Sequence, residues 1–305
     1  MMEHAFRMPV IRAVALALSL FALSATARAE TLASPWVEGY NNKVRLIAGK
    51  ALGISWERSG ALIKKNVPWA GIEILMPAGW KTYWRNPGEA GGVPPEFDWS
   101  GSENIRSTVV NYPAPHRFSD KSGQTIGYKE HIIFPIGFSP ADPLKPVKLK
   151  LKASYGACKE LCVPAEAELE LTVPTELTAS AELDEAVSRL PADHTWRDVI
   201  DGDVLLYPSK EAEEPAVISS RVDSASGKAK LVLEVSDPGI TGGDAFLYSP
   251  DNLYLPLPKK ISEAEGKAVY EADLSDSFND LKGKSIGVVL TGAKGQSETI
   301  IQIPK

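Results

Sequence analysis

The sequence has few of the residues that usually build metal and nucleotide sites. Its 305 residues contain two cysteines, Cys158 and Cys162, and four histidines. Structural zinc sites usually have four clear ligands and two-residue spacers between cysteines, and neither feature is present. The chain also lacks a P-loop and an H-E-x-x-H motif, so the sequence gives no support to a nucleotide-binding or metalloprotease function.

Long apolar runs are also missing, except at the N-terminus. Arg7 and Arg12 precede a small and apolar run, Ala13–Ala25, and Ala27-Arg28-Ala29 then resembles a cleavage site. This pattern is typical of a secretory signal peptide at 1–29, and the run is too short to span a bilayer. No later stretch approaches the roughly 18 apolar residues of a membrane helix. We therefore expect an exported, periplasmic protein without stable membrane insertion.

Positive charge is scarce in the exported part. The whole chain carries a net charge of −6, and removing residues 1–29 takes away three arginines and one glutamate. The remainder has 30 basic and 38 acidic residues, a net charge of −8. This balance argues against nucleic acid and anionic membrane surfaces as partners.

The exported part is dominated by strand patterns separated by glycine- and proline-rich connections. Several short strands at such spacing predict a β-sandwich. The strands predicted in the first half are Val44–Lys50, Ala70–Met76, Ile105–Asn111, His131–Phe138, Val147–Ala153 and Ala167–Val173. Those predicted in the second half are Val204–Tyr207, Ala216–Arg221, Ala229–Val235, Ala245–Tyr248, Ala268–Ala272, Ser285–Leu290 and Glu298–Ile303.

One helix interrupts this pattern and marks the connection between two domains. Leu183, Val187 and Leu190 have helical spacing, which predicts a helix over 177–190 that Pro191 ends. The fold class is therefore all-β, with two β-sandwich domains joined by a short helical linker. The predicted bounds are 1–29 for the signal peptide, 30–175 for the cysteine domain, 176–202 for the linker and 203–305 for the second domain.

The two cysteines lie in the connection of a predicted hairpin. Alternating stretches flank them, and Gly156 and Pro164 are predicted to bracket the turn, because either residue would weaken a strand interior. Two cysteines in an exported chain are expected to pair. Loop-closure entropy for so short a ring gives roughly 2 kcal/mol, against about 4 to 5 kcal/mol for a hundred-residue ring. A redox function and a plain hairpin staple therefore both stay open.

A soft metal site is the weaker alternative. Cys158 and Cys162 with His116 or His131 would suit copper(I) or zinc, but two cysteines and loosely placed histidines do not form a clear ligand set. Met76 is the only methionine beyond the signal peptide, so there is no methionine-rich copper patch. No metal site and no cofactor are predicted.

Five separated motifs resemble the N-terminal periplasmic domain of the thiol:disulfide interchange protein DsbD, and more closely the corresponding region of ScsB, the suppressor of copper sensitivity. They occur in the family's order and cover roughly residues 71–173. The motifs are Gly79-Trp-Lys-Thr-Tyr-Trp-Arg-Asn-Pro-Gly88, Pro95-Glu-Phe-Asp-Trp-Ser-Gly101, Tyr112-Pro-Ala-Pro-His-Arg-Phe118, Gly127-Tyr-Lys-Glu-His-Ile-Ile-Phe-Pro135 and Tyr155-x-x-Cys-x-x-x-Cys-x-Pro164.

The resemblance implies an immunoglobulin-like sandwich whose cysteine pair passes electrons between periplasmic thiol proteins. In DsbD the second cysteine of the pair attacks the partner's disulfide, which implies that Cys162 attacks and Cys158 resolves. This sequence has three residues between its cysteines where DsbD has five. DsbD also covers its cysteines with a loop that carries an aromatic residue. The matching segment here is the loop 116–126, and its candidate cap is Phe118.

DsbD and ScsB continue into a membrane domain that carries electrons, and this sequence shows no counterpart. The expected partners are therefore periplasmic thioredoxin-like or disulfide-isomerase-like proteins and a separate membrane electron donor. The leading hypothesis is a periplasmic thiol–disulfide exchange protein, of the class of protein-disulfide reductases or thiol–disulfide oxidoreductases. The alternative is a non-enzymatic exported binding or scaffold module, related to copper stress, in which the disulfide is structural.

Overall fold

The computed structural model describes residues 31–56, 62–120, 123–193, 214–224, 228–236 and 243–305. The predicted signal peptide at 1–29 and the predicted strand Val204–Tyr207 lie outside these residues. None of the helices among the described residues is both long enough and apolar enough to cross a membrane.

The first half of the chain folds into two sheets that face each other. Its strands are β1 (Leu32–Ala33), β2 (Val37–Gly39), β3 (Asn42–Trp56), β4 (Leu62–Leu75), β5 (Lys81–Tyr83), β6 (Glu96–Asp98), β7 (Ile105–Val110), β8 (His116–Asp120), β9 (Gly123–Lys129), β10 (His131–Pro140), β11 (Val147–Cys158) and β12 (Cys162–Val173). One sheet, called here the cysteine sheet, has the order β12-β11-β5-β9-β8, with β6 beside β11. The other, called the opposite sheet, has the order β1-β3-β4-β10-β7, with β2 beside β3.

The alternation seen in the sequence decides which face of the cysteine sheet is buried. Along β11, Leu149 and Leu151 are buried in the core between the sheets, while Lys148 and Lys150 point outward. Lys148 Nζ lies 2.7 Å from Glu170 Oε1 on the neighbouring strand β12. A register slip of one residue would expose the apolar set, so this period of two fixes the pairing of the β11–β12 hairpin.

The predicted helix forms as α1 (Ala181–Ser188) and lies on the outer face of the opposite sheet. Ser180 caps it, because its hydroxyl accepts a hydrogen bond from Leu183 N at 3.2 Å. Leu183 and Val187 pack into a buried cluster with Trp69 of β4. The helix therefore belongs to the packing of the first sandwich, besides leading towards the second.

The second half also forms two packed sheets. Its elements are β13 (Ala192–Asp193), β14 (Ala216–Asp223), β15 (Lys230–Ser236), β16 (Asp244–Tyr248), β17 (Lys259–Ala264), β18 (Lys267–Asp273), α2 (Phe278–Leu281), β19 (Ser285–Gly292) and β20 (Gly295–Gln302). The sheet orders are β13-β20-β19-β16 and β14-β15-β18-β17. The predicted all-β class with two sandwiches is confirmed, while the exact domain bounds stay a prediction.

The two sandwiches are packed against each other next to the cysteine sheet. Arg117 on β8 makes a two-pronged ion pair with Asp244, with both N–O distances at 2.8 Å. The same guanidinium donates to the carbonyl oxygens of Ala245 and Pro258. Side chains of the second sandwich, among them Phe246, join the first core cluster. The interface therefore combines apolar packing with charge-assisted hydrogen bonds.

Candidate functional site

The two cysteines form a disulfide that closes the end of the β11–β12 hairpin. Cys158 and Cys162 are directly opposed in the strand register, and their Cα atoms are 4.1 Å apart. Three residues form the turn, within which Lys159 N donates to Leu161 O at 3.2 Å. The predicted pairing and its position on a hairpin agree with the structure.

The predicted limits of that turn are wrong. Gly156 and Pro164 do not bracket it but face each other inside the ladder. Pro164 is tolerated there because β12 is the edge strand of the cysteine sheet and needs amide donors on only one side. Gly156 leaves room for the aromatic ring of Tyr83, since a Cβ atom at Gly156 would lie 3.0 Å from its Cε2 atom.

The two sulfur-bearing residues differ in exposure to solvent. Cys158 is fully buried (0% exposed), whereas Cys162 is exposed. Leu161 beside it is 74% exposed, so an apolar side chain stands next to the accessible cysteine. A thiol that approaches from solvent therefore meets Cys162 before Cys158.

Tyr83 places a hydroxyl group against both sulfur atoms. Its oxygen lies 3.0 Å from Cys162 Sγ and 3.1 Å from Cys158 Sγ. Sulfur atoms in a disulfide carry no hydrogen, so the hydroxyl is the donor and serves one sulfur at a time. Tyr83 is itself buried. The sequence pattern did not single out Tyr83 as part of this site, although it lies inside the first family motif.

A buried tyrosine within the cysteine motif supports β11 from the core. Tyr155 is buried, and its hydroxyl donates to Asn42 Oδ1 at 2.8 Å. Burial raises the pKa of Tyr155 well above its usual value, so this group stays protonated. Its role is to anchor β11 three residues before Cys158.

The cysteine hairpin and Tyr83 lie in a segment that matches a known family. Residues 58–174 match the family described as thiol:disulfide interchange protein DsbD, N-terminal. The predicted resemblance is confirmed for this segment. The match to the DsbD N-terminal family includes Tyr83, Phe118 and both cysteines, and it ends before the second sandwich. A search of curated proteins gave no significant match.

The DsbD-like segment is part of a larger shared fold. The crystal structure of the N-terminal periplasmic domain of ScsB from Proteus mirabilis is similar, with a TM-score of 0.62 and 19% sequence identity. The similarity covers 90% of this chain and 100% of that chain. At this identity the comparison shows the fold alone, and its coverage includes most of the second sandwich, which the strand pattern predicted.

The segment 116–126, which was predicted to be a cap loop, forms β8 and the first part of β9, and positions 121–122 lie outside the described residues. The two strands pair with each other, so the described part of the segment is not an open loop. Phe118 lies on β8 with its ring centre 4.7 Å from Lys129 Nζ and 5.9 Å from Lys81 Nζ. Lys81 is the register partner of Cys158 on β5. The structure therefore places Phe118 on β8, two strands beyond β5 and three strands from β11, which carries Cys158. Its role as a cap stays a prediction, and Tyr83 is the aromatic residue that contacts the sulfurs.

The two histidines considered as metal ligands have other neighbours. His131 Nε2 lies 3.0 Å from Glu73 Oε1 in the opposite sheet, where Arg45 Nε also binds Glu73. The ring of His116 lies 6.4 Å from that of Phe118. Across the ranges that the structure describes, no three or more His, Cys, Asp or Glu side chains form a potential metal-binding group.

Proposed function

We propose that this protein is an exported thiol–disulfide exchange protein that works through Cys158 and Cys162. One observation carries the proposal: a disulfide at a hairpin end joins one exposed and one buried cysteine, and a tyrosine hydroxyl lies against both sulfurs. The family match over 58–174 supports the same chemistry.

Reduction of the pair begins when a partner thiolate attacks Cys162 Sγ. The bond from Cys162 to Cys158 breaks, its electron pair leaves on Cys158 as a thiolate, and a mixed disulfide joins the partner to Cys162. The partner's second thiolate then attacks the partner's sulfur atom in the mixed disulfide. This step releases the Cys162 thiolate and leaves the partner with an internal disulfide. The same steps in reverse pass two electrons from the dithiol to a partner disulfide.

Tyr83 acts at the moment when the buried sulfur becomes charged. The leaving thiolate of Cys158 forms in a site closed to water, because that residue is fully buried. A hydroxyl already 3.1 Å away donates to it without rearrangement of the site. Hydrogen bonds to charged groups are worth about 1.5–3 kcal/mol, so this contact favours cleavage of the disulfide.

The proposed location is the periplasm, supported by the predicted signal peptide and the family match. The proposed partners are thioredoxin-like or disulfide-isomerase-like proteins, together with a separate membrane electron donor. A role in copper tolerance is supported only by the likeness to ScsB. The second candidate function is a scaffold module with an inert disulfide, and the observation that favours it is the large second sandwich without cysteine.

A redox titration and a trapping experiment separate these functions. Free thiols are counted after equilibration in glutathione buffers, and an exchange protein is expected to become reduced within their range. A pair that stays oxidised in the most reducing of these buffers, near about −300 mV, behaves as a structural disulfide. For trapping, Cys158→Ser leaves Cys162 free and is expected to accumulate mixed disulfides in periplasmic extract. The matched control, Cys162→Ser, keeps only the buried thiol and is expected to accumulate few.

A further inference from the structure

We infer that the second sandwich positions Tyr83 over the cysteine pair, through Asn86, and so sets the reactivity of the disulfide. This inference rests on the proposed exchange function. It assigns a role within that function to the half of the chain that has no cysteine. Asn86 is a positioning residue in this scheme, because it acts through Tyr83 and does not touch sulfur.

Asn86 ties the segment after Tyr83 to the second sandwich. Its buried side-chain amide donates to the carbonyl oxygens of Leu247 at 2.8 Å and Leu255 at 3.1 Å. Its own side-chain oxygen accepts from Gly88 N at 3.2 Å. Both amide donors are thus used on the backbone of the other sandwich, which fixes the path of the chain at this point.

The two preceding residues are held by the same sandwich. The ring of Trp84 packs edge-on against Phe246 and Tyr248, with ring centres 6.1 and 5.8 Å apart. The guanidinium of Arg85 lies 3.4 Å from the ring centre of Tyr248 and bonds to Glu298 Oε1 at 2.9 Å. Three consecutive residues that follow Tyr83 therefore contact the second sandwich. Strand β5 holds Tyr83 through its register pair with Gly127 of β9, and the contacts of the next three residues add to that hold.

The loop that continues from Asn86 lies across the ring of Tyr83. A Cβ atom at Gly92 would lie 2.4 Å from ring carbons of Tyr83, so the loop backbone is in direct contact with the ring. Gly156 meets the other edge, and its N–H donates to Val93 O at 3.1 Å. The ring is held between the loop and β11, with its hydroxyl on the sulfurs. A shift of the loop would move that hydroxyl.

These contacts would also be expected of an interface that only stabilises the fold, so the test has to measure reactivity. We would measure the equilibrium constant with glutathione and the rate of reduction by dithiothreitol, using the full chain. Asn86→Ala is expected to slow reduction by roughly threefold to tenfold, in the same direction as Tyr83→Phe, through weakening of one hydrogen bond. The double variant is expected to match Tyr83→Phe alone, because the positioned group is already gone.

The matched control is Val235→Ala, in the buried core of the second sandwich. It is expected to lower stability while leaving the rate and the equilibrium constant unchanged. The inference is overturned if Asn86→Ala reacts like wild type, if its effect persists in the Tyr83→Phe background, or if Val235→Ala slows reduction equally. If wild type itself does not equilibrate with glutathione, the proposed function fails first. If Asn86→Ala does not fold, Glu298→Gln, which weakens the hold on Arg85, takes its place with the same expectations.

Discussion

The hydroxyl of Tyr83 lies 3.0 Å from Sγ of Cys162, although 79 positions separate the two residues in the chain. Tyr83 belongs to the short strand β5, which lies between β11 and β9 in the cysteine sheet. This contact joins the centre of the sheet to the disulfide at the hairpin end. It makes Tyr83 the residue whose removal most directly tests the proposed chemistry.

Removal of that hydroxyl should slow cleavage of the disulfide. In Tyr83→Phe the Cys158 thiolate forms without its donor, and we expect reduction by dithiothreitol to slow by about tenfold, near the low end for a hydrogen bond to a charged group. Stopped-flow measurement of thiol release gives the rate, and circular dichroism checks the fold. Tyr40→Phe makes the same chemical change at a side chain that is 67% exposed and should have no effect. Equal rates for Tyr83→Phe and wild type would remove Tyr83 from the mechanism.

The two thiols should differ strongly in reactivity when each is left alone. We expect the free thiol of Cys162, in Cys158→Ser, to react with a maleimide at least about tenfold faster than the free thiol of Cys158, in Cys162→Ser. The reason is that Cys162 is exposed and Cys158 is 0% exposed. In denaturant the two variants should react alike, which controls for intrinsic chemistry. Faster labelling of Cys158 in the native state would reverse the proposed order of attack.

Much of the first sandwich is predictable from local pattern, because its long strands bury one face. The alternation from Val147 predicts β11, and the spacing of Leu183 and Val187 predicts α1, whose observed range lies inside the predicted one. The pattern does not show where β11 ends. Gly156 is a strand residue here for a non-local reason, its contact with Tyr83.

The contacts of Tyr83 could not be predicted from the sequence for the same reason. A strand of three residues, Lys81–Tyr83, shows too little alternation to be recognised. Nothing in the sequence pattern predicts that Asn86 donates to carbonyl oxygens more than 160 positions away. The family motif around Gly79–Gly88 marked the right segment, but only the packing of the second sandwich shows what its residues contact.

Loss of the helix cap should lower stability without changing exchange. Ser180→Ala removes the side-chain acceptor for Leu183 N and should lower the free energy of unfolding by about 1 kcal/mol. Because α1 lies on the opposite sheet, the rate of reduction should stay at the wild-type value. Ser188→Ala, at the exposed end of the same helix, is the control and should change little. Urea unfolding gives the free energy of unfolding, and the dithiothreitol assay gives the rate of reduction. Slower reduction of Ser180→Ala would contradict the expectation that the helix cap does not affect the disulfide.

A buried carboxylate should make part of the stability depend on pH. Burial alone would raise the pKa of Glu73, but hydrogen bonds from His131 and Arg45 outweigh it and hold the pKa below its ordinary value of 4.5. Its stabilising contribution is therefore fully present above about pH 4.5 and is lost as the pH falls through the lowered value. Wild type should exceed Glu73→Gln in stability at neutral pH, and the gap should shrink in acid. Glu168→Gln, whose side chain is 82% exposed, should show little gap at any pH.

Two neighbouring glycines allow a test of the loop that covers Tyr83. Gly91 and Gly92 both have positive φ, 73° and 154°, so alanine strains the backbone at either position. Only at Gly92 would the new Cβ atom meet the Tyr83 ring, at 2.4 Å, whereas at Gly91 nothing lies within 4 Å. Gly91→Ala should therefore cost about 1 kcal/mol of stability and leave exchange unchanged.

Gly92→Ala should cost more, about 2–4 kcal/mol when the clash adds to the backbone strain, and should also change the rate of reduction, because the ring must move and take its hydroxyl with it. Chemical denaturation and the dithiothreitol rate are measured for both variants. A Gly92→Ala protein that loses stability yet reacts at the wild-type rate would show that Tyr83 can shift without consequence. In that case the hydroxyl that touches both sulfurs would be a packing contact and would have no part in the exchange.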